Sequence, residues 1–220
     1  MNFVTSGLIL SLTMTLITAR PDAAILGRPL LTVRTYQVTA VPSRDWNTVV
    51  RSATEILDRA GIDVDWVHCS PNASGLEALP ARCTMPYRGN EVSLRIVRRP
   101  ASAVRGNMPL GDSMVDASTH SGILATIYLD HVGRLARQAR VSATTVMARA
   151  IAHELGHLLL GTSTHSAYGL MRPTWTPDEL ARNRPIDWTI PAEEGQKMQQ
   201  ALARRAESDL AAARTPALGD

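Results

Sequence analysis

The segment HELGHLLLGTSTH, residues 153–165, places three of the chain's six histidines and one glutamate around a run of three leucines. In an α-helix, residues four apart lie about 40° apart around the axis and about 6 Å along it, so His153 and His157 project from one face and can share a metal ion. Glu154 lies about 100° further round, where its carboxylate can reach a water on that ion without displacing a histidine. His165, in a continued helix, would sit roughly 12 Å along the axis from His157 and out of range. Gly161 removes this obstacle: a glycine at a helix end can turn left-handed, and the chain then has enough length to bring His165 back as a third ligand. Three imidazoles and one water make the open tetrahedral set of a catalytic zinc site, whereas a structural site is closed by four protein ligands.

The elements that must position these residues can be read from periodicity. Residues 141–161 (VSATTVMARAIAHELGHLLLG) are expected as one helix, with Ser142 as N-cap and Gly161 as its stop. Met147, Ile151, Leu155 and Leu158 form one stripe on it, and Val146, Ala150, His153 and His157 another, so one side is expected to pack on a sheet and the other to face a cleft. Residues 30–41 read as a strand, 45–61 as an amphipathic helix ending at Gly61, 62–69 and 91–97 as alternating strands, and 122–132 (GILATIYLDHV) as a further strand. The Gly-, Ser-, Asp- and Asn-rich stretch from Pro100 to Ser121 reads as an irregular loop. Helices are expected near 177–180 and 191–213, each starting at a proline. The sum is an α+β fold: a mixed sheet with a helix packed on it, the histidine helix, and a helical C-terminal part.

On these residues the chain resembles the zincin peptidases, and within them the metzincins, whose pattern is HExxHxxGxxH followed by a methionine in a turn beneath the metal. Here the pattern is HExxHxxxGxxxH, one residue longer on each side of the glycine, and Met171 in Gly169-Leu170-Met171 matches the Met-turn. The resemblance implies a zincin-like twisted mixed sheet. It implies Zn2+ on His153, His157 and His165, Glu154 as general base, and Met171 and Gly161 as structural support. It also implies a peptide or protein substrate aligned along a sheet edge, formed by residues 122–132 or by the strand beside them. The whole chain resembles small exported bacterial zincin-like proteins. In another zincin branch a glutamate on a later helix supplies the third ligand, and Glu179 stands as that alternative; otherwise Asp178 and Glu179 are first-turn carboxylates of a short helix. Different in class is a catalytically inactive, zinc-stabilised binding or inhibitory module, or a chain whose tail from 191 onward binds a partner.

Other residues carry weaker signals. Tyr168 is a candidate for oxyanion stabilisation or for packing. His68, His120 and His131 fit no ligand spacing and are expected in solvated or core roles. Trp175 and Trp188 are expected to anchor the tail or to wall a substrate pocket.

Composition bounds the remainder. With 220 residues, 45% hydrophobic and 20% charged, the chain is expected to form one domain over residues 25–215, with the sheet and histidine helix in 30–161 and the Met-turn and C-terminal helices in 162–215. A net charge of +3, with arginines paired only at Arg98-Arg99 and Arg204-Arg205, gives no basic stripe for nucleic acid. Residues 1–24 read as an export signal, cleaved near Ala19 or Ala24, with an uncleaved N-terminal anchor as the alternative. Stable membrane insertion is not expected after its removal, and a monomer is favoured. Cys69 and Cys83 suit a disulfide in an oxidising compartment. A zinc-blocking role for Cys69 is the rival reading. Asn72-Ala73-Ser74 matches a glycosylation sequon.

Overall fold

The computed structural model describes residues 27–70, 78–98, 108–116 and 118–214. The expected export signal, the sequon at Asn72 and residues 100–107 and 117 of the expected loop lie outside them.

Five strands form one sheet: β1 (Leu30–Gln37), β2 (Asp63–His68), β3 (Glu91–Val97), β4 (Gly111–Asp116) and β5 (Ser121–Tyr128), in the order β2-β1-β3-β5-β4. The first four in that order run parallel, and β4 alone is antiparallel, paired with β5 at one edge. Parallel neighbours need a crossover, which α1 (Ser43–Arg59) supplies between β1 and β2. Val49, Ala53, Ile56 and Leu57 make its buried stripe, and Gly61 follows its end at φ +80°. Leu31 and Val33, Leu94 and Ile96, and Ile127 face the core from three successive strands. The mixed sheet with packed helices is the α+β architecture expected.

Two sequence expectations are corrected here. The stretch Pro100–Ser121 is not irregular throughout, because Gly111–Asp116 (GDSMVD) pairs with β5 as an edge strand. Its Gly, Asp and Ser residues have low β-propensity, and the pairing that orders them is tertiary. Residues 122–132 are not one strand either: β5 stops at Tyr128, and Leu129–Ala139 form α2, closed by Arg140 in the left-handed region. Apolar residues run without a break from β5 into α2, which hides the junction from a period-2 reading.

The helix α3 (Ala143–Leu160) is the centre of the molecule. The Ser142 hydroxyl accepts the Thr144 N–H at 3.2 Å, the expected N-cap. The expected division into a packed face and an open face is too simple, since every residue from Val146 to Leu159 is buried. The helix packs on β4 and β5, on α1 and α2, and on α5 (Ala192–Arg214). The tail therefore docks on its own domain: Met198 and Leu202 are buried, and Arg205 donates to the Leu158 carbonyl. Among the described residues no helix is long and apolar enough to cross a membrane.

Cys69 and Cys83 are joined by a disulfide, tying the end of β2 to the segment before β3, and neither thiol is free to block a metal. On the loop-entropy account, closing a loop of this length stabilises by about 3 kcal/mol. Reduction is thus expected to lower the melting temperature by about 6–12 °C for a chain of this size. Thermal unfolding with and without reductant reads this directly, and coincident curves would refute a stabilising role.

Candidate metal centre

The last two turns of α3 carry His153, Glu154 and His157. The helix ends at Gly161, whose φ of +63° and ψ of 32° are left-handed and whose N–H donates to the His157 carbonyl at 3.0 Å. A Cβ at Gly161 would lie 2.0 Å from the His120 carbonyl oxygen, so both conformation and space demand glycine. Beyond it the chain reverses, and the Thr164 N–H is turned onto the Thr162 hydroxyl at 3.1 Å.

The reversal brings His165 to the other two histidines. His157 Nε2 lies 3.0 Å from His153 Nε2 and 3.3 Å from His165 Nε2. The candidate ligand atoms of all three lie within 4.8 Å of one another. Nitrogens bound tetrahedrally at zinc distances stand about 3.3 Å apart, so the cluster has the dimensions such an ion requires. His153 Nδ1 lies 2.9 Å from the Leu170 carbonyl and His157 Nδ1 2.8 Å from the Thr162 carbonyl. A carbonyl only accepts, so each Nδ1 carries the proton and donates it, which leaves each Nε2 lone pair aimed at the shared point. Burial favours the neutral ring, lowering the pKa of His153 to about 4 and those of His157 and His165 below their ordinary value. Neutral imidazole is the form that binds a metal.

Glu154 is buried beside this cluster, on the side of β4. The Ser113 hydroxyl lies 2.6 Å from its Oε2 and 2.8 Å from its main-chain carbonyl, and can donate to either. Burial raises the Glu154 pKa to about 7, with the Ser113 contact opposing the rise and Asp112 adding to it. Asp112 is itself held by the Tyr128 hydroxyl at 2.5 Å.

Met171 is fully buried, and its carbonyl accepts the Ser166 N–H at 3.0 Å. Its side chain lies against Gly156, where a Cβ would come 2.6 Å from Met171 Sδ and 3.1 Å from Met198 Cε. Gly156→Ala would gain about 1 kcal/mol of helix propensity but overpack this contact at about 1–3 kcal/mol. Because Leu170, next to Met171, orients His153, the expected outcome is a lower melting temperature together with weaker metal binding. A variant that melts higher and binds metal as wild type would show that Met171 yields freely.

A cleft of about 510 Å³ opens over the histidines. Gly111, Asp112 and Ser113 of β4 wall one side, His131 and Arg134 of α2 another, and Trp175 a third. Trp175 meets His153 edge-on at 5.6 Å and Trp188 edge-on at 5.4 Å, so one tryptophan walls the cleft and the other anchors the tail, buried behind it.

The remaining sequence candidates fall elsewhere. Glu179 is not in the cluster: its Oε2 accepts from the Thr176 N–H and hydroxyl in a capping box of α4 (Pro177–Arg182), and its Oε1 faces Arg172 at 3.6 Å. Tyr168 is largely exposed and is not among the residues that wall the cleft. His68 stands near the Thr35 hydroxyl, and His120 near the Gly161 carbonyl. His131, expected only in a generic role, is buried on the cleft wall with Nδ1 2.6 Å from the Pro109 carbonyl. Sequence reasoning missed Asp112 and Ser113 together with β4. It also passed over Gly156, although a glycine inside a helix is itself a signal of close approach.

No protein-family model and no curated protein sequence matches the chain. Among solved structures it is similar to an archaemetzincin from Methanopyrus kandleri, at 15% identity over 79% of this chain and 96% of that one, with a TM-score of 0.49. It is also similar to metalloproteinase-II from Bacteroides fragilis, at 12% identity over 80% of this chain, with a TM-score of 0.45. The chain spans about half of that second protein, 53% of its length. At these scores the likenesses bear no weight of their own, and function has to be argued from the residues of the site.

Proposed function

We infer that the chain is a zinc-dependent peptidase of metzincin-like type, with His153, His157 and His165 as metal ligands and Glu154 as general base. The observation that carries this is the convergence of three Nε2 atoms beside one buried carboxylate, at the floor of a cleft. Three protein ligands leave a fourth position open, which suits catalysis. When bound, zinc polarises a carbonyl and lowers the pKa of water towards neutrality. Glu154 accepts a proton from the attacking water and passes it to the leaving amine, and Ser113 holds the carboxylate in place for both transfers. The outer edge of β4, unpaired among the described residues, offers backbone N–H and C=O groups along the cleft wall, where an extended peptide can add as a further strand. The disulfide suits an exported protein acting in an oxidising compartment.

The test is metal analysis of the purified protein together with a peptide-library digest by wild type and Glu154→Gln. One zinc per chain and cleavage lost in the variant support the assignment. Protein without stoichiometric zinc would defeat it, and zinc with no turnover on any peptide would favour the binding-module reading.

A further inference from the structure

A second cavity, of about 250 Å³, lies between α1, the first turns of α3 and the segment 183–189, and shares no wall residue with the metal cleft. Its wall includes Arg149, which is only 8% exposed. The Arg149 guanidinium donates through Nη2 to Asn183 Oδ1 and lies 3.9 Å over the Trp188 ring, while its Nη1, closed off from solvent, has no partner among the described residues. Among the described residues no carboxylate stands within ion-pair distance of it. Arg172 also lies over the Trp188 ring, at 4.8 Å, but Glu179 and the carbonyls of Gly169 and Asp187 compensate that cation. Among the described residues Arg149 is therefore a buried positive charge without a counter-ion, an arrangement that is costly unless something supplies one.

The adjoining wall is suited to hold one. Arg59 reaches the cavity from α1. Thr145 stands in the first turn of α3, where the unsatisfied N–H groups and the helix dipole favour negative charge. Burial and the neighbouring Arg172 lower the Arg149 pKa to about 10, so it remains charged at neutral pH. Among the described residues Glu55 is the one carboxylate on the wall, on the exposed side of α1, and it pairs with neither arginine. The volume is below that of drug-sized sites, which start at about 300 Å³, and well above the roughly 30 Å³ share of one water. It fits a small anion with a few waters.

We propose that this cavity binds a small oxyanion, held by the guanidinium groups of Arg149 and Arg59 with the Thr145 hydroxyl as a further donor. Phosphate and carboxylate share the chemistry this wall recognises, a negative charge set against guanidinium cations.

The zinc-loaded protein is titrated by calorimetry with inorganic phosphate and, separately, with acetate, at ionic strength held constant with chloride. Saturable binding of one anion per chain is expected, accompanied by a change in Trp188 emission. Phosphate binding alone identifies a tetrahedral ligand, and acetate binding of equal or greater strength a carboxylate. Arg59→Gln, on the exposed surface, is expected to weaken binding about tenfold through one lost charge-assisted contact. Arg149→Met should weaken it further, and Glu55→Gln should strengthen it by removing a like charge. If Arg149→Met does not fold, the opposite signs of the other two variants still decide. No saturable binding of either anion, or an affinity that Arg59→Gln and Glu55→Gln leave unchanged, would overturn the proposal. The second result would place the anion elsewhere, at the metal centre for example.

Discussion

Glu154→Gln is expected to reduce peptide hydrolysis by about 10²–10⁴-fold, the range that a positioned general base contributes. That is about 3–5 kcal/mol of barrier. The substitution isolates the proton transfer because little else changes. Glutamine has the same length, its amide oxygen can still accept from Ser113, and the three histidines keep the Leu170 and Thr162 carbonyls that orient two of them. Zinc content should therefore stay at one per chain while turnover falls, and inductively coupled plasma analysis beside kcat/KM reads both quantities. Activity close to wild type would dismiss Glu154 as the base. Loss of zinc along with activity would mean that Glu154 supports the ligand set itself. Ser113→Ala is the companion variant, expected to lower turnover by a smaller factor, since it loosens the carboxylate without removing it.

How much of this site the sequence reveals depends on how local the determining forces are. The ends of α3 are legible because Ser142 and Gly161 act on the helix they flank. His153 and His157 are legible because helical spacing alone puts them on one face. His165 required one inference more, that a glycine reverses the chain, and Gly161 is left-handed at that point. The strand β4 is different. A six-residue strand containing Gly, two Asp and Ser has no local signal, and only β5 and the wall of α3 order it. With β4 went Ser113 and Asp112, so the surroundings of Glu154 were unreadable although Glu154 itself stood out beside the histidines. Arg149 belongs to the same class: in the sequence it interrupts an apolar helix with a charge, and only the tertiary packing shows Trp188 beneath it and one guanidinium nitrogen unpaired.

His165→Ala is expected to weaken zinc binding by more than the roughly 10–100-fold that losing a partner behind a metal ligand typically costs, because the ligand itself is removed. The variant is well suited to the question. His165 is exposed, in the turn after Gly161, so truncation removes no core packing, and the melting temperature of the metal-free protein should stay close to that of wild type. His153 and His157 remain as a pair and keep a residual, weak site. Glu179→Gln is the necessary counterpart. Its carboxylate closes the capping box of α4, which glutamine can also do, and faces Arg172 at 3.6 Å, so the expected loss is that one pair, below about 1 kcal/mol, with zinc affinity unchanged. Competition with a chromogenic chelator ranks the two variants on one scale. The opposite ranking, with zinc lost in Glu179→Gln and retained in His165→Ala, would transfer the third ligand to the later helix. His165 would then stand in the turn after Gly161 without coordinating, and the left-handed glycine would serve only to end α3.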